Sequence, residues 1–233
     1  IRKIFGKGTV SKNSDICEIK SKRGVYFMLT YKIHILRHGL TQANLEGRYI
    51  GRSDPPLCEQ GRAQLRELAA GCEYPSVQRV YTSPLLRARQ TAEMIYPGQE
   101  QETVDKLREL DFGDFEGRTA AELEHDQAFR AWIAAPPSAR TPNGESGADL
   151  LGRAVEAAAY IFAQMMEQRM TDAAVVTHGT LIMNLLAAMG LPQRSLLRWN
   201  TQPGAGYTLL LTPQMWMRDH KFEVYGQIPL RRV

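Results

Sequence analysis

With 233 residues, 43% hydrophobic and 23% charged, the chain has the composition of a folded globular protein, which excludes collagen-like, low-complexity and wholly disordered classes. No run of about 18 apolar residues occurs, and Cys17, Cys58 and Cys72 form neither a paired framework nor a zinc-ligand spacing, so the expectation is a soluble cytoplasmic protein without disulfides or a membrane span. The net charge of +4 does not describe the body: residues 1–27 hold seven basic against two acidic side chains, which leaves residues 28–233 at −1 and argues against nucleic acid as a partner.

Residues 1–27 follow neither a helical nor a sustained strand period, and Met28 stands directly before the first strand pattern. The expectation is a basic extension outside the fold, followed by one domain over 28–233. Tyr31–Leu36 alternates and enters a loop at Gly39, as a strand does. Glu59–Ala70 reads as a helix with Leu65, Leu68 and Ala69 at helical spacing and Gly71 as its stop. Val77–Thr82 reads as the next strand, with Ser83 as cap and Pro84 as first residue of a helix to Ile95. Thr103–Leu107 is a short third strand candidate. The stretch Gly147–Met170 predicts a long helix whose stripe runs through Leu150, Ala154, Ile161 and Met165. Ala173–Thr177 is almost continuously apolar, the mark of a strand covered on both faces, and Thr180–Met189 is its following helix. Tyr207–Thr212 and Phe222–Tyr225 complete the set. Alternation of this kind predicts an α/β fold, a three-layer αβα sandwich on a mostly parallel sheet.

Ligands of open α/β sheets bind beyond the carboxyl ends of the strands, and the reactive side chains collect there. Arg37-His38-Gly39 ends the first strand, Thr177-His178-Gly179 ends the apolar one, and Thr82-Ser83-Pro84 precedes Arg87 and Arg89. Alone, each histidine reads as a satisfied structural residue and each arginine as a solvated one; together at neighbouring strand ends they read as a site. A metal centre of His38, His178 and Asp111 or Glu109 would set a divalent cation against Arg37 and Arg87. A phosphate site uses every residue without conflict. The arginines donate paired hydrogen bonds to a dianion and disfavour imidazolium, so His38 is neutral and attacks phosphorus while His178 stabilises the transferred oxygens. Of Glu109, Asp111, Asp114 and Glu116, Glu109 lies just past a strand end and is the candidate proton donor to the leaving group. Spacing leaves Arg87 and Arg89 undecided.

These residues resemble the histidine phosphatase superfamily, also called the phosphoglycerate mutase-like family. The resemblance runs from about residue 31 to 211, through Arg37-His38-Gly39-Leu40-Thr41-Gln42-Ala43-Asn44, Arg48-Tyr49-Ile50-Gly51, Ser83-Pro84-Leu85-Leu86-Arg87, Leu107-Arg108-Glu109, Pro142-Asn143-Gly144-Glu145-Ser146 and Thr177-His178-Gly179. It implies a phosphoglycerate mutase-like fold, His38 as the phosphorylated residue, Arg37, Arg87 and His178 as its phosphate pocket, and Glu109 as proton donor. Asn44, Gly51 and Gly179 line the same pocket by this resemblance. It selects Arg87 over Arg89 and implies no metal and no other cofactor. Leu40 stands where relatives often carry glutamate, which bears on substrate-side contacts.

The pattern is similar to α-ribazole phosphatases and broad-specificity relatives. Only 69 positions separate Glu109 from His178, where mutases are usually longer, so the expectation is metal-independent hydrolysis of a small phosphorylated metabolite, with α-ribazole 5'-phosphate as one candidate. The alternatives are a phosphoglycerate mutase and a non-catalytic relative that binds phosphorylated ligands; a homodimer is compatible with either. Residues 111–147, with Phe115, Phe129 and Trp132, are expected to form a rim over the site or to pack beneath helices.

Overall fold

The computed structural model describes residues 16–21, 24–136 and 139–232. At the amino end, β1 (Ile16–Ser21) pairs antiparallel with β2 (Gly24–Leu29) in a two-stranded sheet separate from the main one. The expectation for residues 1–27 falls in part on residues 1–15 and 22–23, outside the described residues.

The main sheet contains β3 (Tyr31–Arg37), β5 (Arg79–Thr82), β6 (Gln101–Thr103), β7 (Asp172–Thr177), β8 (Gly190–Leu191), β9 (Gly206–Leu211) and β10 (Phe222–Ile228), while β4 (Cys72–Glu73) pairs with β11 (Leu230–Arg231) apart from it. Its order is β6-β5-β7-β3-β9-β10-β8. From β6 to β3 neighbours run parallel; β9 runs antiparallel to both β3 and β10, and β8 is parallel to β10. The helices are α1 (Gln42–Leu45), α2 (Glu59–Gly71), α3 (Leu86–Ile95), α4 (Gln127–Ala134), α5 (Gly147–Glu167), α6 (Gly179–Met189) and α7 (Pro213–Asp219).

Successive side chains of a strand face opposite ways, and β7 shows the consequence. Ala173 and Val175 join Ile33, Ile35 and Leu209 in a core against α5 and α6, where Ala154, Ile161, Phe162, Leu181 and Leu185 are buried. Ala174 and Val176 join Leu36 and Val80 in a second core against Ala88 and Ala92 of α3. Both faces being dry, β7 has no polar alternation, and the three-layer arrangement follows. No helix among the described residues is long and apolar enough to cross a membrane.

Several boundaries differ from expectation for local reasons. Helix α3 starts at Leu86, not Pro84: its first amide donates to Asp54 Oδ1 at 2.6 Å, while Ser83 Oγ accepts from Leu85 N–H, one residue before the helix. The strand expected over 103–107 is β6 followed by a 3-10 turn, Asp105–Leu107. Helix α2 runs through Gly71 and ends on Cys72, and α5 stops at Glu167, after which Arg169 takes φ 55°. Three helices were not expected: the four-residue α1, capped by Thr41, α4, whose Asp126 accepts from Ala128 and Phe129 N–H, and α7, with Thr212 as cap and Pro213 at its start.

Candidate active site

Strand adjacency brings the candidate residues to one end of the sheet, beyond the carboxyl ends of its central strands. Arg37 is registered opposite Thr177 and Thr82 opposite Val176, so His38, His178 and Ser83 emerge side by side. Backbone hydrogen bonds continue this alignment past the strands: His38 N–H donates to Thr177 O at 2.9 Å and Ser83 N–H to Val176 O at 3.0 Å. The two imidazole centroids lie 5.1 Å apart at 61°. His38, His178, Arg87 and Glu109 are all buried.

His38 Nδ1 is 2.6 Å from Gly39 O. A carbonyl only accepts, so Nδ1 carries the proton and Nε2 carries the lone pair. Burial, and then the Arg87 charge, push the His38 pKa down to about 3; the bond to Gly39 opposes this and Arg37 adds to it. The ring is therefore neutral near pH 7. His178 is also held well below the ordinary histidine range, by burial first and then by Arg87. Its Nε2 is 2.7 Å from Ser83 Oγ, while its Nδ1 is buried with no hydrogen-bond partner among the described residues.

The two arginines are fixed by carbonyls. Arg37 Nη1 donates to Thr201 O at 2.9 Å, and its buried Nε has no partner among the described residues. Gly179 sits against this guanidinium: a Cβ there would meet Arg37 Nε at 3.3 Å. Arg87, 1% exposed, donates from Nη1 to Ser53 O at 2.7 Å and from Nη2 to Gly51 O at 3.0 Å. Burial lowers the pKa of both, and the Glu109 charge raises it. Arg89, three residues into α3 where Arg87 turns inward, is exposed.

Glu109 accepts from Leu110 N–H at 2.8 Å and from Thr180 N–H, in the first turn of α6, at 3.0 Å. The other acidic candidates have separate partners. Asp111 pairs with Arg52 at 3.3 Å, and Asp114 is exposed and accepts from Asn143. Glu116 accepts from Gly51 N–H at 2.8 Å and Ser53 N–H at 2.9 Å, so it shapes the loop whose carbonyls hold Arg87. Gly51 thus has its N–H on Glu116 and its carbonyl on Arg87. Asn44 closes a capping box with Thr41 through Oδ1, leaving its amide nitrogen as the donor end. Among the described residues no group of three or more His, Cys, Asp or Glu is arranged to hold a metal ion.

Phe115 and Phe129 are core residues, with centroids 5.3 Å apart, and Trp132 packs on both. Of the two expectations for 111–147, packing is the one observed for these rings. Sequence reasoning missed Ser83 as a partner of His178 and the Thr201 carbonyl as the anchor of Arg37. The first had a signal, its position directly after a strand end; a main-chain carbonyl has none.

A profile of the histidine phosphatase superfamily (branch 1) matches residues 33–220. An adenosylcobalamin/α-ribazole phosphatase of Salmonella typhimurium is 36% identical over 118 residues, 49% of this chain and 58% of that relative's length. A probable phosphoglycerate mutase GpmB of Proteus mirabilis is 32% identical over 166 residues, 69% of this chain and 76% of that one. The crystal structure of the α-ribazole phosphatase from Shigella flexneri superposes with a TM-score of 0.69 at 25% identity, covering 86% of this chain and 96% of that chain.

Proposed function

Because the chain belongs to the histidine phosphatase superfamily, we propose that it is a phosphatase that hydrolyses small phosphomonoesters through a phosphohistidine on His38. The observation that carries this reading is the fixed tautomer of His38: a proton held on Nδ1 by Gly39 O, 2.6 Å away, and a neutral Nε2 beside two arginines. Arg37 and Arg87 hold the equatorial oxygens of the phosphoryl group, with the N–H groups their carbonyl partners leave over. His178 donates from Nδ1 to one of the same oxygens, and the first turn of α6 at Gly179 favours the anion. Asn44 offers its amide nitrogen at the rim.

The reaction has two displacements. In the first, the Nε2 lone pair of His38 forms the N–P bond while the P–O bond to the leaving group breaks. That electron pair stays on the departing oxygen, which takes a proton from the Glu109 carboxyl. In the second, a water attacks phosphorus and gives its proton to the Glu109 carboxylate; the P–N pair returns to Nε2 and inorganic phosphate leaves. The charge on the transferred oxygens is balanced throughout by Arg37 and Arg87.

The names of the relatives favour α-ribazole 5'-phosphate as the first ester to try. The relative described as a probable phosphoglycerate mutase keeps mutase activity as a second reading. Residues 28–233 form the catalytic domain in this proposal, acting in the cytoplasm. The test is to incubate the protein with p-nitrophenyl phosphate and, separately, 3-phosphoglycerate in EDTA, beside His38→Ala. The expected result is phosphate release that disappears in the variant. Isomerisation of phosphoglycerate without phosphate release supports the mutase, and hydrolysis that persists in His38→Ala overturns the phosphohistidine.

A further inference from the structure

The motif Pro142-Asn143-Gly144-Glu145-Ser146 takes no part in the chemistry above, yet Glu145 is half of an ion pair that grips the main chain at Glu109. Ser146 caps α5, so Glu145 sits immediately before the helix and Arg153 follows about two turns later on the same side. Arg153 Nε donates to Glu145 Oε1 and Nη2 to Glu145 Oε2, both at 2.8 Å. The same Nη2 donates to Glu109 O at 2.8 Å, and Nη1 donates to Lys106 O at 3.0 Å and to Arg108 O. A guanidinium has five N–H donors in a rigid fork, and all five are engaged. Three go to carbonyls of the segment that ends in Glu109.

Glu145 completes the hold from the other side. Its Oε2 accepts from Asp111 N–H at 3.1 Å and its own N–H donates to Asp111 O at 3.0 Å. Glu109 is therefore suspended between its own carbonyl, tied to Arg153, and the amide two residues on, tied to Glu145. Neither Arg153 nor Glu145 bonds to the Glu109 carboxylate, whose oxygens are held by Leu110 and Thr180 N–H.

We propose that Arg153 and Glu145 are positioning residues that set where the Glu109 carboxyl meets the leaving oxygen. This rests on the reading of Glu109 as proton donor. Displacement of a reacting group by about 1 Å costs on the order of 100-fold in rate, and lysine, with a point charge in place of the fork, keeps the charge of Arg153 but not the three carbonyl contacts.

The readout is leaving-group dependence. An alkoxide needs a proton to depart and p-nitrophenolate does not, so a displaced Glu109 penalises alkyl esters selectively. The ratio of kcat/KM for β-glycerophosphate to that for p-nitrophenyl phosphate isolates the first displacement, because breakdown of the phosphohistidine is common to both. Arg153→Lys and Glu145→Gln are each expected to lower this ratio about tenfold, and Glu109→Gln about 100-fold. Glu145→Gln keeps the measurement available should lysine at 153 prevent folding. An unchanged ratio in the folded Arg153 and Glu145 variants, with the ratio still depressed in Glu109→Gln, overturns this inference alone. An unchanged ratio in Glu109→Gln overturns the assignment of Glu109, and the inference with it.

Discussion

Ser83 Oγ lies 2.7 Å from His178 Nε2 and accepts a second bond from Leu85 N–H at 3.3 Å. A serine hydroxyl can accept the Leu85 bond and still donate one of its own, and the proposed donation from Nδ1 of a neutral His178, the nitrogen that has no partner among the described residues, requires that Ser83 donates to Nε2. Ser83→Ala removes this selection and leaves a buried nitrogen unpaired. A fall of about tenfold in kcat/KM and a loss of about 1–2 kcal/mol in stability are expected, read by steady-state kinetics and urea unfolding. Unaltered kinetics would separate Ser83 from the site.

The pH behaviour follows from the neutral state of His38. Its pKa falls from 6.5 unfolded to about 3 folded. Between those values the unfolded chain binds a proton that the folded chain refuses, so this group subtracts stability as pH falls below 6.5. His38→Asn should flatten the dependence of unfolding free energy on pH by about 1.4 kcal/mol per unit between about pH 6 and 4. Denaturant titrations at several pH values measure it; parallel curves for variant and wild type would contradict it.

Two glycines give opposite outcomes. At Gly51 an added Cβ would lie 1.9 Å from the Leu110 carbonyl oxygen, so Gly51→Ala must shift the loop that carries both acceptors of Arg87. It should cost about 3 kcal/mol or more and most of the activity. Gly152, exposed within α5, has nothing within 4 Å of its Cβ position. Gly152→Ala should raise stability by about 0.5–1 kcal/mol without altering kinetics, and thermal melts of the pair test both.

Arg87→Lys supplies one charge where the fork makes two carbonyl contacts and, in the proposed mechanism, also holds the phosphoryl oxygens. A drop on the order of 100-fold in kcat/KM is expected, with EDTA changing neither wild type nor variant. Abolition of wild-type turnover by EDTA would instead call for a cation in the reaction.

Much of this site was legible because its residues stand at the carboxyl ends of strands, which in an α/β sheet lie at one common end. The unbroken apolar run of β7 announced a strand covered on both sides, and its position beside β3 joined the two His-Gly pairs. What stayed hidden depended on contacts distant in sequence. Ser83 looked like a helix cap because nothing nearby reveals that Asp54, from another loop, does the capping. Spacing alone does not separate Arg87 from Arg89, a choice made only by the resemblance; the start of α3 at Leu86 sets the phase that buries the first and exposes the second. Helix α4 carries only eight residues, and its Phe129 and Trp132 pack on Tyr49, Phe112 and Phe115, which all lie outside it.

Strand β3 has its two neighbours far downstream: Lys32–Arg37 pair with residues 172–177 and Tyr31–Leu36 with residues 206–211. The strand that delivers His38 is thus synthesised early and seated late. On a ribosome, β3 would emerge with His38 before either strand it pairs with, and Arg37 would wait for the Thr201 carbonyl. Such long-range closure slows folding. If the proposed chemistry holds, it would then switch on abruptly, when the ninth strand inserts, instead of accumulating with chain length.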